Sequence, residues 1–206
     1  VLDFGAALTK IGFATESKPR HILPTPELQL RGSTSSSGFT KPPAEYEWID
    51  ILDRLLNKVF FHYLSVSPKD RRIVICDQAH STAQFRSALA FVLFKRLSVP
   101  SIAFVADLVL PLYLTGLSSG VVIDLGYRCT RVLVTFAGVP LLSALRTAAP
   151  GGRLIVARLK AELLKALDPK AAAAAAAWVE DFHALQDLAT AVCYARFATH
   201  GGPPDP

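Results

Sequence analysis

A mixed α/β fold is what this sequence predicts, and three observations carry it. Short apolar runs with strand character alternate with segments whose apolar residues recur at helical spacing. The form apolar-apolar-Asp-x-Gly occurs twice, as Val1-Leu2-Asp3-Phe4-Gly5 and Val122-Ile123-Asp124-Leu125-Gly126, each time between two apolar strands. Hydrophobic residues make up 51% of the 206 positions and charged residues 19%, enough apolar material for a packed core and too much for a disordered chain.

The elements follow in order. Val1–Asp3 and Leu8–Ala14 read as two strands around a Gly-Ala-Ala turn, with Gly12 permitting a bulge. Residues 24–43, rich in Pro, Ser and Gly, read as an exposed loop or linker. Trp48 to Leu64 carries Ile49, Leu52, Leu55, Leu56, Val59, Phe60 and Tyr63 at helical spacing. After a turn at Pro68-Lys69-Asp70 comes a buried strand, Arg72–Cys76. Ser81 or Thr82 is placed to cap a helix from Ala83 to Leu97. Val99–Val105 reads as a strand, and Asp107–Thr115 as a helix stopped by Gly116. Gly120–Gly126 and Arg131–Phe136 read as strands, with a turn over Ala137–Pro140 and a third strand over Leu141–Leu145. Pro150-Gly151-Gly152 opens a helix from Arg153 to Leu167, ended by Pro169. A last helix runs from Trp178 to about Phe197, before a Gly/Pro tail. The alanine run Ala171–Ala177 is of uncertain identity, and local pattern there carries no weight.

Composition excludes several classes. The net charge of +5 is modest and its basic residues are scattered without interleaved aromatics, so nucleic acid is not an expected partner. Cys76, Cys129 and Cys193 lie far apart and show no metal-binding spacing, which suits reduced cysteines in a cytoplasmic protein. His21, His62, His80, His183 and His200 do not cluster, and Trp48 and Trp178 read as helix-face anchors. The apolar segments Ala88–Leu97 and Val99–Leu117 are broken by Lys95, Arg96, Pro100, Asp107 and Pro111, so no membrane insertion is expected. The N-terminal stretch lacks the pattern of a secretory signal, and without a Met the chain is expected to begin downstream of a translation start.

The repeated Asp-x-Gly hairpin is the candidate functional feature. Glycine removes the Cβ, so that backbone N–H groups can approach phosphate oxygens, and the Asp can hold a hydrated Mg²⁺. Two such hairpins facing each other would clamp a nucleotide's phosphates. On spacing alone, both can equally be ordinary hairpin turns.

The opening VLDFGAALTKIGFATESKPRHILPT resembles that of the actin family. The resemblance continues through Pro68-Lys69-Asp70-Arg71-Arg72-Ile73-Val74-Ile75, Phe91-Val92-Leu93-Phe94-Lys95, Val99-Pro100-Ser101, Val122–Arg128 and Pro150-Gly151-Gly152. It covers about residues 1–168 well and 178–206 loosely. It implies the actin/Hsp70/hexokinase-like, ribonuclease H-like two-lobed α/β fold, incomplete in this chain. Residues 1–117 would form the first lobe, with a vestigial second subdomain at 24–43. Residues 118–153 would begin the second lobe, and 154–206 would form part of its outer subdomain. It also implies a cofactor site for ATP or ADP with Mg²⁺ at Asp3, Gly5, Ala6 and Lys10 of the first loop and Asp124, Gly126, Tyr127 and Arg128 of the second, with Gly12 following the phosphate-contacting Lys10.

The departures from the family matter as much. Ala6 stands where actin has a hydroxyl, and Tyr127 and Arg128 where the family has a second Asp-Gly. Asp107 replaces the glutamine that orients the attacking water, and Arg131 replaces a nearby histidine. An acid near a triphosphate adds like-charge repulsion and removes a donor. Weak or no ATP hydrolysis follows, with nucleotide binding left open. Arg128 can pair with a phosphate, or Arg128 and Arg131 can be solvated or make local pairs. The resemblance therefore implies a non-catalytic cytoplasmic, cytoskeletal subunit capping the pointed end of the short actin-like filament of dynactin. Its partners would be the filament-forming actin-related subunit, actin and the other pointed-end subunits, and indirectly dynein and microtubules. Two further readings use the same fold: an ATPase or sugar-kinase-like enzyme with Asp107 as base, or an actin-related subunit of a chromatin remodeller.

Overall fold

The computed structural model describes residues 1–25, 45–79, 81–167 and 182–193. The chain divides into two compact units, Val1–Ala149 and Pro150–Pro206.

The first unit holds two sheets. In the first sheet, β1 (Leu2–Phe4), β2 (Leu8–Ile11), β3 (His21–Pro24), β4 (Arg72–Asp77) and β5 (Ser101–Ala106) lie in the order β3-β2-β1-β4-β5. The β1–β2–β3 meander is antiparallel, while β4 runs parallel to both β1 and β5. Parallel neighbours need crossover connections, and two helices supply them. These are α1 (Glu45–Asn57) and α2 (Ala83–Phe91). Thr82 caps α2, its hydroxyl accepting from Phe85 N–H at 3.2 Å. Leu52, Leu56, Val59, Phe60, Ala88, Leu89, Val92 and Leu93 pack with Leu2, Ile11 and Ile75 as the main core.

Both helices run on into a wider turn, Lys58–Tyr63 and Val92–Arg96, and both end in Leu-Ser-Val. The serines, Ser65 (φ 51°) and Ser98 (φ 55°), adopt the left-handed conformation. The following N–H groups turn back, Val66 to Phe60 O and Val99 to Leu93 O, each at 2.9 Å. The second helix therefore stops before Val99, and β5 begins at Ser101, after Pro100, which has no N–H to give a ladder.

The second sheet contains β6 (Gly120–Leu125), β7 (Thr130–Phe136), β8 (Val139–Pro140) and β9 (Arg146–Ala148). Its hairpin turn uses left-handed Ala137 and Gly138. The strand expected over Leu141–Leu145 does not form. Pro140 ends β8, Leu142–Ala144 is a single tight helical turn, and β9 starts only at Arg146. β8 and β9 share one side of β7, opposite β6. The helix expected from Asp107 shrinks to α3 (Leu110–Leu114), because Pro111 is tolerated only in a first turn. Asp107–Val109 form a turn instead. A small core of Leu108, Val109, Leu112, Val122 and Leu133 lies beneath β6 and β7. The alternate residues of β6, Val121, Ile123 and Leu125, are exposed.

The second unit contains α4 (Gly152–Ala166) and α5 (Phe182–Val192), which pack together, with Leu185 buried. The loop at 26–43, the alanine run, Pro169 and the ends expected for the last helix lie outside the described residues.

Candidate functional site

The first Asp-x-Gly turn joins β1 to β2. Asp3 and Lys10 are partners across the ladder, and Lys10 Nζ lies 3.4 Å from Asp3 Oδ2, with both side chains substantially exposed. Gly5 N–H donates to Leu8 O at 3.0 Å, so that amide is used inside the turn. A Cβ at Gly5 would stand 2.6 Å from the same oxygen, which is why the turn demands glycine. Ala6 lies at the bend, half-buried.

The turn is held by residues that sequence reading missed. Thr25 Oγ1 donates to Gly5 O at 2.7 Å and shares a 3.0 Å bond with Thr9 Oγ1, and Thr25 N–H donates to Ala7 O at 2.9 Å. Gln78, just past β4, donates from Nε2 to Phe4 O at 2.9 Å. Neither contact has a local sequence signal, since each partner comes from a distant strand end. Cys76 lies beside Asp3 in the parallel ladder. Burial pushes its thiol up to about 11, with the charges of Asp3 and Asp107 adding to the effect.

The second Asp-x-Gly turn joins β6 to β7. A Cβ at Gly126 would lie 2.9 Å from Cys129 O and 3.5 Å from Asp124 Oδ2, so this glycine too is required by its own turn. Tyr127 and Arg128 are half-buried there.

Asp124 and Arg131 are directly opposed in the β6–β7 ladder. Arg131 Nε and Nη2 both donate to Asp124 Oδ2, at 2.9 and 2.5 Å. The same Nη2 donates to Asp107 Oδ2 at 2.6 Å. Asp107 is the first residue after β5, where its N–H donates to Asp77 O at 3.1 Å. Arg131 thus bridges the second sheet to the exit of the first, with its side chain 8% exposed. Asp107 and Asp124 are 15% and 35% exposed. Burial by itself would lower the Arg131 pKa. The hydrogen bonds and charges of Asp107 and Asp124 outweigh it and hold the pKa above its ordinary value. Its Nη1 is enclosed and has no acceptor among the described residues. Of the two fates left open for Arg131, local pairing is the one observed.

The Mg²⁺ that the resemblance implies does not fit at Asp124. An ion coordinated to Oδ2 would stand about 4 Å from the guanidinium, where at an effective dielectric near 20 the repulsion is on the order of 8 kcal/mol. The acid's own partner would have to leave first. Asp107 is likewise engaged, through its Oδ2.

The actin family model matches residues 47–191. The chain is 30% identical over 187 aligned residues to actin-related protein 10 of Dictyostelium discoideum, a match covering 78% of this chain and 38% of that protein. It is 26% identical over 165 residues to actin-related protein 2 of Schizosaccharomyces pombe, covering 68% of this chain and 42% of that protein. The chain spans about two fifths of the length of these relatives. With two sheets in a mixed α/β arrangement and a family match over most of its length, the chain belongs to the actin family, as an actin-related protein similar in type to actin-related protein 10.

Proposed function

We propose that this actin-related protein is a structural, non-catalytic subunit at the pointed end of the short actin-like filament of dynactin, in the cytoplasmic cytoskeleton. The observation that carries the non-catalytic half is the Arg131 bridge. The acid expected to hold a metal and the residue standing at the water-orienting position are tied to one buried guanidinium. Hydrolysis needs such groups to face the phosphate and the attacking water. Contact of a nucleotide with the two turns, at Asp3, Gly5, Ala6 and Lys10 and at Gly126, Tyr127 and Arg128, would then be non-hydrolytic, with no metal held at Asp124.

The structural half is supported by the similarity to actin-related protein 10 and by the brevity of segment 24–43. By the family resemblance, a longer insert there reaches the next subunit of a filament. A subunit without it offers one filament contact and withholds the other, which is what an end requires. Its partners would be the filament-forming actin-related subunit, actin and the other pointed-end subunits, and through them dynein and microtubules.

Two measurements test the reading. The tagged chain expressed in cells should co-purify with dynactin subunits, and recovery of a folded chain without any of them rejects the structural half. With ATP, phosphate release should stay at the buffer rate. Turnover that disappears in Asp107→Ala overturns the non-catalytic half.

A further inference from the structure

We propose that Arg131 is a built-in cation: its guanidinium takes the place of a divalent metal ion between Asp107 and Asp124, making this acid pair indifferent to metal. The inference deepens the non-catalytic reading of the same site. It is tested by metal binding, with no need for a partner or for turnover.

The geometry is that of an ion bridging two carboxylates. One nitrogen, Nη2, contacts one oxygen of each acid, at 2.6 and 2.5 Å, and Nε adds a second bond to Asp124 at 2.9 Å. The two acids come from different sheets, Asp107 from the exit of β5 and Asp124 from β6, and the bridging nitrogen joins them beside the small core that Leu108 and Val109 share with Val122 and Leu133. The charge is permanent, because a guanidinium does not lose its proton in a protein. It is also fixed in position. The side chain is 8% exposed, and its backbone lies in β7, paired with β6 on one side and β9 on the other. Lys10 offers a contrast, since its ammonium is 52% exposed and 3.4 Å from Asp3. An exposed ammonium on a flexible stem can move aside for a ligand, whereas a buried guanidinium held by three bonds to two acids cannot do so cheaply.

The distinctive consequence lies in the variant that lacks the arginine. If Arg131 only packed, its removal would leave a hole and two repelling acids. If it stands in for a metal ion, removal leaves an acid pair that a small divalent cation can refill.

Mn²⁺ alone is the probe, read by loss of the free-ion signal in electron paramagnetic resonance. The wild-type chain should show no Mn²⁺ site that depends on Asp107 or Asp124. Arg131→Ala should gain one site, at least about tenfold tighter than any wild-type binding at these acids. That site should vanish in Arg131→Ala/Asp124→Asn, and Arg131→Lys, which keeps the charge, should not gain it. A wild-type site removed by Asp124→Asn overturns the inference, as does a folded Arg131→Ala that gains no site. Should Arg131→Ala not fold in EDTA, its refolding yield is compared in millimolar Mg²⁺ and in EDTA. A several-fold gain with Mg²⁺ supports the inference, and equal yields overturn it.

Discussion

Arg131→Ala is the perturbation whose cost the structure sets most tightly. It removes three hydrogen bonds and leaves Asp107, 15% exposed, and Asp124, 35% exposed, without their shared counter-charge. Breaking a buried pair by removing one partner costs about 3–5 kcal/mol, most of it from the stranded charge. Asp124 regains water more readily than Asp107, which puts the expected loss near the lower end, about 3 kcal/mol. Lys10→Ala is the internal control. Its pair with Asp3 is longer, at 3.4 Å, and the side chains are 52% and 30% exposed, so its loss should be roughly 0–1 kcal/mol. Raising the ionic strength should erase the Lys10 effect and leave most of the Arg131 effect, because screening acts on exposed charges far more than on enclosed ones. Urea unfolding followed by circular dichroism measures both. A loss below about 1 kcal/mol for Arg131→Ala, or one no larger than that of Lys10→Ala, refutes the picture of a buried, energetically important bridge.

Other perturbations test the rest of the fold. Leu89→Ala, at a fully buried position in the main core, should cost about 2–5 kcal/mol in the same assay. Ser98→Gly should stabilise by about 0.5–1 kcal/mol, since a left-handed φ of 55° penalises a side chain and suits glycine. Cys76, with its thiol pushed up to about 11, should be alkylated at pH 8 far more slowly than exposed Cys193, as mass spectrometry of time points would read. The folded state binds this proton more tightly than the unfolded chain does. The associated stability is therefore fully present below the unfolded value of 9.0 and is lost as the pH rises through about 11, and Cys76→Ala should flatten that part of the profile.

Much of the fold was legible locally. The helical spacing from Trp48 onward, the cap at Thr82 and the apolar strand at Ile73–Ile75 are written in a few consecutive residues, and each forms where expected. The strand expected over Leu141–Leu145 failed because apolarity alone cannot tell a strand from a turn next to Pro140. The helix expected from Asp107 was cut short by Pro111. The glycines of both Asp-x-Gly turns are expected from the sequence to admit phosphate oxygens, whereas the structure gives each a reason internal to its turn, the close approach of Leu8 O to Gly5 and of Cys129 O to Gly126.

The family, the order of most elements and the departures at Asp107, Tyr127, Arg128 and Arg131 are legible in the chain before it folds, because all of these reside in residue identity and short-range period. Opposition of Asp124 and Arg131 is nearly local too, a matter of hairpin register. Packing of the folded chain is what brings Asp107, just past the end of a strand in the other sheet, onto the same nitrogen. It also brought Thr25 and Gln78 to the first turn and left one row of β6 uncovered. These are meetings between residues far apart in sequence. Their energies depend on burial and distance, which exist only once the two sheets have packed.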